Sequence, residues 1–167
     1  RFVYRVHDQP DQEKLKNLQT VVKRMGYNLK LTSKELNDSL NSLLKNAFGK
    51  NEQNLIDTLM IRSMSKAEYT TKNIGHYGLS FENYTHFTSP IRRYPDVMVH
   101  RLMQAEIEGE KIKTELTESL CKHSTHMEIL ATKAERDSIK LMQIRFMKDK
   151  EGKTFDAVIS GVIARGI

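Results

Sequence analysis

Apolar residues recur at helical spacing along most of the chain, and the places where that period fails divide it into elements. Phe2, Tyr4 and Val6 alternate with Arg5 and His7, a period of two that predicts a strand, although Val3 blurs it. Pro10 and Asp11 then open a helix with Leu15, Leu18, Val21/Val22 and Met25 on its apolar face and Gly26 as its stop. Thr32 with Glu35 has capping-box spacing and predicts a second helix carrying Leu36, Leu40, Leu43/Leu44 and Phe48. A third is predicted over Asn51–Lys66.

Between Glu68 and Leu79 the helical period breaks, and Gly75 and Gly78 bracket His76-Tyr77, predicting unusual turns. Ser89 and Pro90 form an N-cap and first-turn pair for a helix whose apolar face is Ile91, Tyr94, Met98, Leu102 and Ala105. Pro95 must kink or restart that helix, because it lacks an N–H and crowds the Ile91 carbonyl. Gly109 ends it. A long helix over Thr114–Lys148 follows, with a seam of Leu116, Leu120, His123, Met127, Leu130, Ala134, Ser138 and Leu141. Past Gly152, Phe155, Ala157, Ile159 and Gly161 alternate as a strand. The pattern predicts a mainly α chain with a few short β-strands (α+β) and a domain boundary at Asp149–Lys153, dividing residues 1–150 from 151–167.

A length of 167 residues suffices for a domain with a real core. The formal charge of +6 and pI of about 9.4 favour an anionic partner, nucleic acid or an acidic membrane surface, though a merely basic soluble protein has the same balance. No run approaches the ~18 apolar residues of a membrane helix, and no secretory signal is visible. Cys121 is the single cysteine, so no intrachain disulfide forms, which suits a reducing cytosol and a cytoplasmic location. The chain starts at Arg1 and stops inside a predicted strand, as a piece of something longer does.

Chemically capable side chains concentrate between Tyr84 and Arg101. Arg92 and Arg93 offer guanidinium forks matched to phosphate oxygens, and a helix N-terminus at Ser89–Arg93 would add oriented N–H groups. Against this, Asp96 can pair with Arg92 at i,i+4 or with Arg93 at i,i+3, which on a surface is worth ~0.3–0.5 kcal/mol and says nothing of function. Tyr84, Phe87 and Tyr94 are placed to stack on bases, while for Phe87 and Tyr94 the commoner role is that of core anchors. His86, Asp96 and His100 suggest a metal-dependent hydrolase, against the commoner reading of polar histidines bonded to backbone carbonyls. Ser89 has no nucleophile-elbow glycines around it, and capping accounts for it. Glu135-Arg136-Asp137 interrupts the long helix's seam, as a solvated face, an ion pair or the wall of a nucleic-acid channel does.

These motifs together are specific. Tyr84-Thr-His-Phe-Thr-Ser-Pro-Ile-Arg-Arg-Tyr-Pro-Asp with Val99-His-Arg101 resembles the signature of the ribonuclease II/ribonuclease R family, as do Tyr4-Arg-Val-His-Asp8 with Pro10, Arg62-Ser-Met64 with Ala67 and Tyr69, Asn73-Ile-Gly-His-Tyr-Gly-Leu79 and Ala134-Glu-Arg-Asp137. They run in the family's order over nearly the whole chain and look most like the ribonuclease R branch. The resemblance implies a processive, magnesium-dependent 3′→5′ exoribonuclease acting on single-stranded RNA and releasing nucleoside 5′-monophosphates, monomeric when intact. It implies that residues 1–150 are the C-terminal part of the catalytic RNB domain and that 151–167 begin an S1 domain, an OB-type barrel. Arg92 matches the arginine that clamps phosphate near the scissile bond; Arg93, Tyr84 and Glu135 are expected to join it in binding RNA.

The family's metal-binding aspartate cluster and its 3′-end tyrosine have no counterpart here. No Asp-x-Asp-Asp pattern occurs, and Asp8 or Asp11 alone makes no two-metal site. The chain by itself is therefore expected to be inactive, to contribute no metal ligands and to bind no catalytic magnesium. A non-catalytic RNA-binding module is the alternative.

Overall fold

A computed structural model describes residues 2–32, 35–110 and 115–156. The order of elements is β1 (Tyr4–Val6), α1 (Gln12–Arg24), α2 (Leu36–Ala47), α3 (Gln53–Ser63), β2 (Glu68–Thr70), a single 3₁₀ turn (Tyr77–Leu79), α4 (Tyr94–Glu108) and α5 (Thr117–Lys148). The chain is thus mainly helical with two short strands, as the hydrophobic pattern predicted. The strand expected at Phe155–Gly161 and the S1 reading built on it fall mostly on 157–167, outside the described residues. Two compact units form, one from residues up to Asp8 with Lys66–Thr154, the other from Gln9–Ser65.

The Gln9–Ser65 unit is a three-helix cluster. Asp11 caps α1, its carboxylate accepting from the N–H groups of Glu13 (2.9 Å) and Lys14 (3.1 Å). Leu15, Leu18 and Val22 on α1, Leu36, Leu40, Leu43 and Ala47 on α2, and Ile56 and Met60 on α3 close one core with Leu29. Each fully buried leucine, isoleucine or valine contributes about 1.5–3 kcal/mol. Three details differ from expectation. Helix α3 is shorter than Asn51–Lys66. Phe48, counted as apolar face, is exposed just past the end of α2. The Thr32–Glu35 pair forms no capping box: Glu35 is itself the residue before α2, and its carboxylate accepts from the Thr32 hydroxyl (3.1 Å) instead of a backbone N–H.

In the other unit, β1 and β2 pair antiparallel with Tyr4 opposite Thr70 and Arg5 opposite Tyr69. A small core of Val3, Tyr69, Met98, Val99 and Cys121 joins them to α4 and α5. Val3 and Val6 are the buried positions, so the period-two reading of Phe2, Tyr4 and Val6 does not hold. Pro95 does restart the helix: α4 begins at Tyr94, and Ser89–Arg92 form a turn in which Ser89 O accepts from the N–H groups of Arg92 (3.3 Å) and Arg93 (3.1 Å). Ser89 is consequently no N-cap, and Ile91, expected on the apolar face, is 98% exposed. On α5 only Thr117 and Cys121 are buried, while Leu130 and Leu141 of the expected seam are half exposed.

Candidate nucleic-acid interface

The turn before α4 and the first half of α5 face each other across a cleft of about 740 Å³, lined by Arg92, Arg93, Tyr94 and Pro95 on one side and by residues from His123 to Glu135 on the other, with Tyr69 beside them. Arg92, Arg93 and Glu135 are thus brought together from positions 43 apart at the extremes, counting 135 − 92. Tyr84 is not among the lining residues. It sits in an aromatic cluster, stacked on Phe81 with ring centres 5.9 Å apart and edge-on to His76 and His86.

The two arginines differ in kind. Arg93 Nη2 donates to Asp96 Oδ2 at 2.9 Å, and Asp96 is fully buried. The same oxygen accepts the Ser89 N–H at 2.7 Å. Arg92 is exposed and forms no ion pair among the described residues. Of the two pairings open in the sequence, then, the i,i+3 one forms, with a buried rather than a surface carboxylate.

The cleft's floor is held by a network that the sequence pattern did not show. Arg5 on β1 grips Glu128 on α5 with two hydrogen bonds (2.6 and 3.0 Å) and lies over the Tyr69 ring, 4.5 Å from its centre. The Tyr69 hydroxyl meets His86 Nδ1 at 2.8 Å. Burial raises the Tyr69 phenol above its ordinary range, with Arg5 opposing. Burial, then the charges of Arg93 and Arg5, lowers the His86 imidazole. Both groups are therefore neutral near pH 7, and they share a neutral hydrogen bond. Nearby, Glu118 on α5 accepts from Thr71 N–H and the hydroxyls of Thr70 and Thr71 (2.7–3.2 Å), tying β2 to the long helix. Burial opposes its ionisation, but the Thr71 and Thr70 hydrogen bonds and Lys122 together outweigh that and hold the carboxyl below its ordinary range. No periodicity marks such pairs, since the partners are distant in sequence; the charged residue inside a strand pattern, Arg5, was the one available signal.

The histidine–aspartate metal reading fails on geometry. His86 is engaged by Tyr69, Asp96 by Ser89 and Arg93, and His100 Nε2 meets the Phe87 carbonyl at 2.8 Å while its ring stacks on Phe87. Phe87 and Tyr94, read as core anchors, are 41% and 47% exposed: Phe87 lies against His100 on the exposed side of α4, and Tyr94 lines the cleft. Nor do the residues present fit magnesium, which takes an oxygen-rich shell. Among the described residues no three His, Cys, Asp or Glu side chains gather, and of the cleft's two carboxylates Glu128 is held by Arg5. Cys121 is inert: burial, then Glu118, pushes its thiol up to about 11.

A family model for the RNB domain matches residues 1–109. The chain belongs to the RNB-domain family. Relatives of this RNB chain include ribonuclease R of Aquifex aeolicus, 39% identical over 98% of the chain and 24% of that protein, and ribonuclease R 1 of Lactococcus lactis, 36% identical over 99% and 21%. The chain spans about a quarter of the length of the curated relatives it matches. Among solved structures, Mycoplasma genitalium RNase R in complex with ribose-methylated single-stranded RNA superposes with a TM-score of 0.86 at 25% identity, covering 98% of the RNB chain and 27% of that one. The same protein with double-stranded RNA gives 0.84 at 26% identity, covering 96% and 30%. Yeast Ssd1, a pseudonuclease, gives 0.59 at 26% identity over 74% of this chain and 16% of that one. No helix among the described residues is long and apolar enough to cross a membrane.

Proposed function

We propose that the intact protein is a processive 3′→5′ exoribonuclease that hydrolyses single-stranded RNA to nucleoside 5′-monophosphates, and that this chain supplies one wall of its active site. The observation that carries the reading is the exposed Arg92 guanidinium in the cleft, which forms no ion pair among the described residues, beside an arginine already paired with Asp96. Ribonuclease R relatives and the RNA-bound structural neighbours support it. Hydrolysis of the terminal phosphodiester builds negative charge on the non-bridging oxygens. Arg92 sets two parallel donors against them. Arg92 is the catalytic residue. Arg92, Arg93, Tyr84 and Glu135 make up the RNA surface, Glu135 accepting from ribose hydroxyls, since a carboxylate repels phosphate.

The magnesium ligands lie outside this chain, and the isolated chain is inactive. We further read the intact protein as a cytosolic monomer with an S1 domain from about residue 151, on the single cysteine of this chain and its resemblance to ribonuclease R. The second reading is a non-catalytic RNA-binding module, favoured by the pseudonuclease neighbour. Incubating uniformly labelled single-stranded RNA with magnesium and either the intact parent protein or this chain separates the two. Nucleoside 5′-monophosphates from the parent and none from the chain are expected. A parent that retains RNA without releasing nucleotide establishes the binding module instead.

A further inference from the structure

Asp96 is the most buried charged group beside the cleft, with 0% of its side chain exposed, and among the described residues its carboxylate hydrogen-bonds only to the segment that carries Arg92. One carboxylate oxygen serves two donors from the segment that carries Arg92: the Ser89 N–H at 2.7 Å and Arg93 Nη2 at 2.9 Å. Ser89 in turn accepts from the Arg92 and Arg93 N–H groups through its carbonyl. Both ends of the turn are thus fastened to one residue in the first turn of α4, where the helix dipole favours a negative charge. Arg92 itself has no ion pair among the described residues to hold it, so its direction is set by this turn.

We propose that Asp96 is a positioning residue: by clamping Ser89 N–H and the Arg93 guanidinium it aims Arg92 into the cleft and, by neutralising Arg93, leaves Arg92 as the arginine of the pair that meets the phosphate. This rests on the catalytic role proposed for Arg92. A donor displaced by about 1 Å loses up to a hundredfold in rate. The clamp acts on the reaction through Arg92 and not through RNA affinity.

A double-mutant cycle in the intact parent protein, with kcat and KM measured on single-stranded RNA, tests it. Asp96→Ala lowers kcat by roughly a hundredfold with KM nearly unchanged. Asp96→Asn keeps an acceptor for the Ser89 N–H and restores part of the rate. In an Arg92→Ala background neither change lowers kcat by more than about twofold further. Full additivity in that background overturns the proposal, as does a loss that appears in KM alone. If Asp96→Ala does not fold, the nearly isosteric Asp96→Asn carries the same cycle, with the same additivity result overturning it. An Arg92→Ala variant with undiminished kcat sinks the reading beneath the proposal instead, and is told apart because it appears in the single mutant.

Discussion

At the scale of single residues, two adjacent arginines of identical chemistry have opposite fates because of one buried carboxylate. Arg93 pairs with Asp96 through Oδ2; Arg92 forms no ion pair among the described residues and stays open to an external anion. In the intact protein, Arg92→Ala should lower turnover by roughly a hundredfold or more while RNA affinity changes by less than about threefold, since in the proposed role the group acts on charge that develops in the transition state. Arg92→Lys should recover little of this, because an ammonium lacks the planar fork that meets two oxygens at once. Steady-state kinetics beside an RNA-binding titration decide both; a loss confined to affinity would mean that Arg92 only grips the backbone. The motif's resemblance led to the expectation that an arginine here serves phosphate. Which arginine is free depends on where the turn places Asp96, and no spacing rule contains that.

At the scale of elements, local signals worked where one side chain serves its own backbone. Asp11 caps α1 as read from Pro10-Asp11, and Asp11→Ala should cost about 1 kcal/mol in urea unfolding of this chain. An unchanged midpoint would show that the cap adds nothing. Signals failed where a second element intervened. Ser89-Pro90 looks like a helix start, yet Pro95 supplies a better one and the Asp96 clamp holds Ser89 in a turn. Two glycine positions were legible for a related reason. Gly75 has φ of +78°, and a Cβ there would stand 3.2 Å from the Phe81 carbonyl; at Gly78 it would stand 3.2 Å from His7 Nδ1, which accepts the Gly78 N–H.

At the scale of the molecule, half-buried histidines make stability depend on pH. Burial, with His7 next, lowers His76 from its ordinary 6.5, and its Nδ1 accepts the Leu79 N–H. His86 is lowered likewise, facing Arg93 and Arg5 with Asp96 and Glu128 opposing. Below pH 6.5 the unfolded chain takes up protons that the folded chain refuses, so these groups' contribution is full above that pH and is lost as pH falls through their lower folded values. The melting temperature should therefore be lower at pH 5 than at pH 7.5, and His86→Gln should flatten the difference. A melting temperature that rises on acidification would contradict this assignment.

The sequence by itself determined the helical period, the α1 cap, the glycine turns and the arginine-bearing motif, because each is a relation between neighbours or between positions one turn apart. Its order of motifs also determined the family. Only the tertiary structure decided that the Arg92 turn faces α5, that Arg5 holds Glu128 across 123 positions, and that Asp96 is buried beneath the turn it clamps. Those relations depend on which surfaces exclude water from one another, and that is settled by packing distant elements together, not by spacing along the chain.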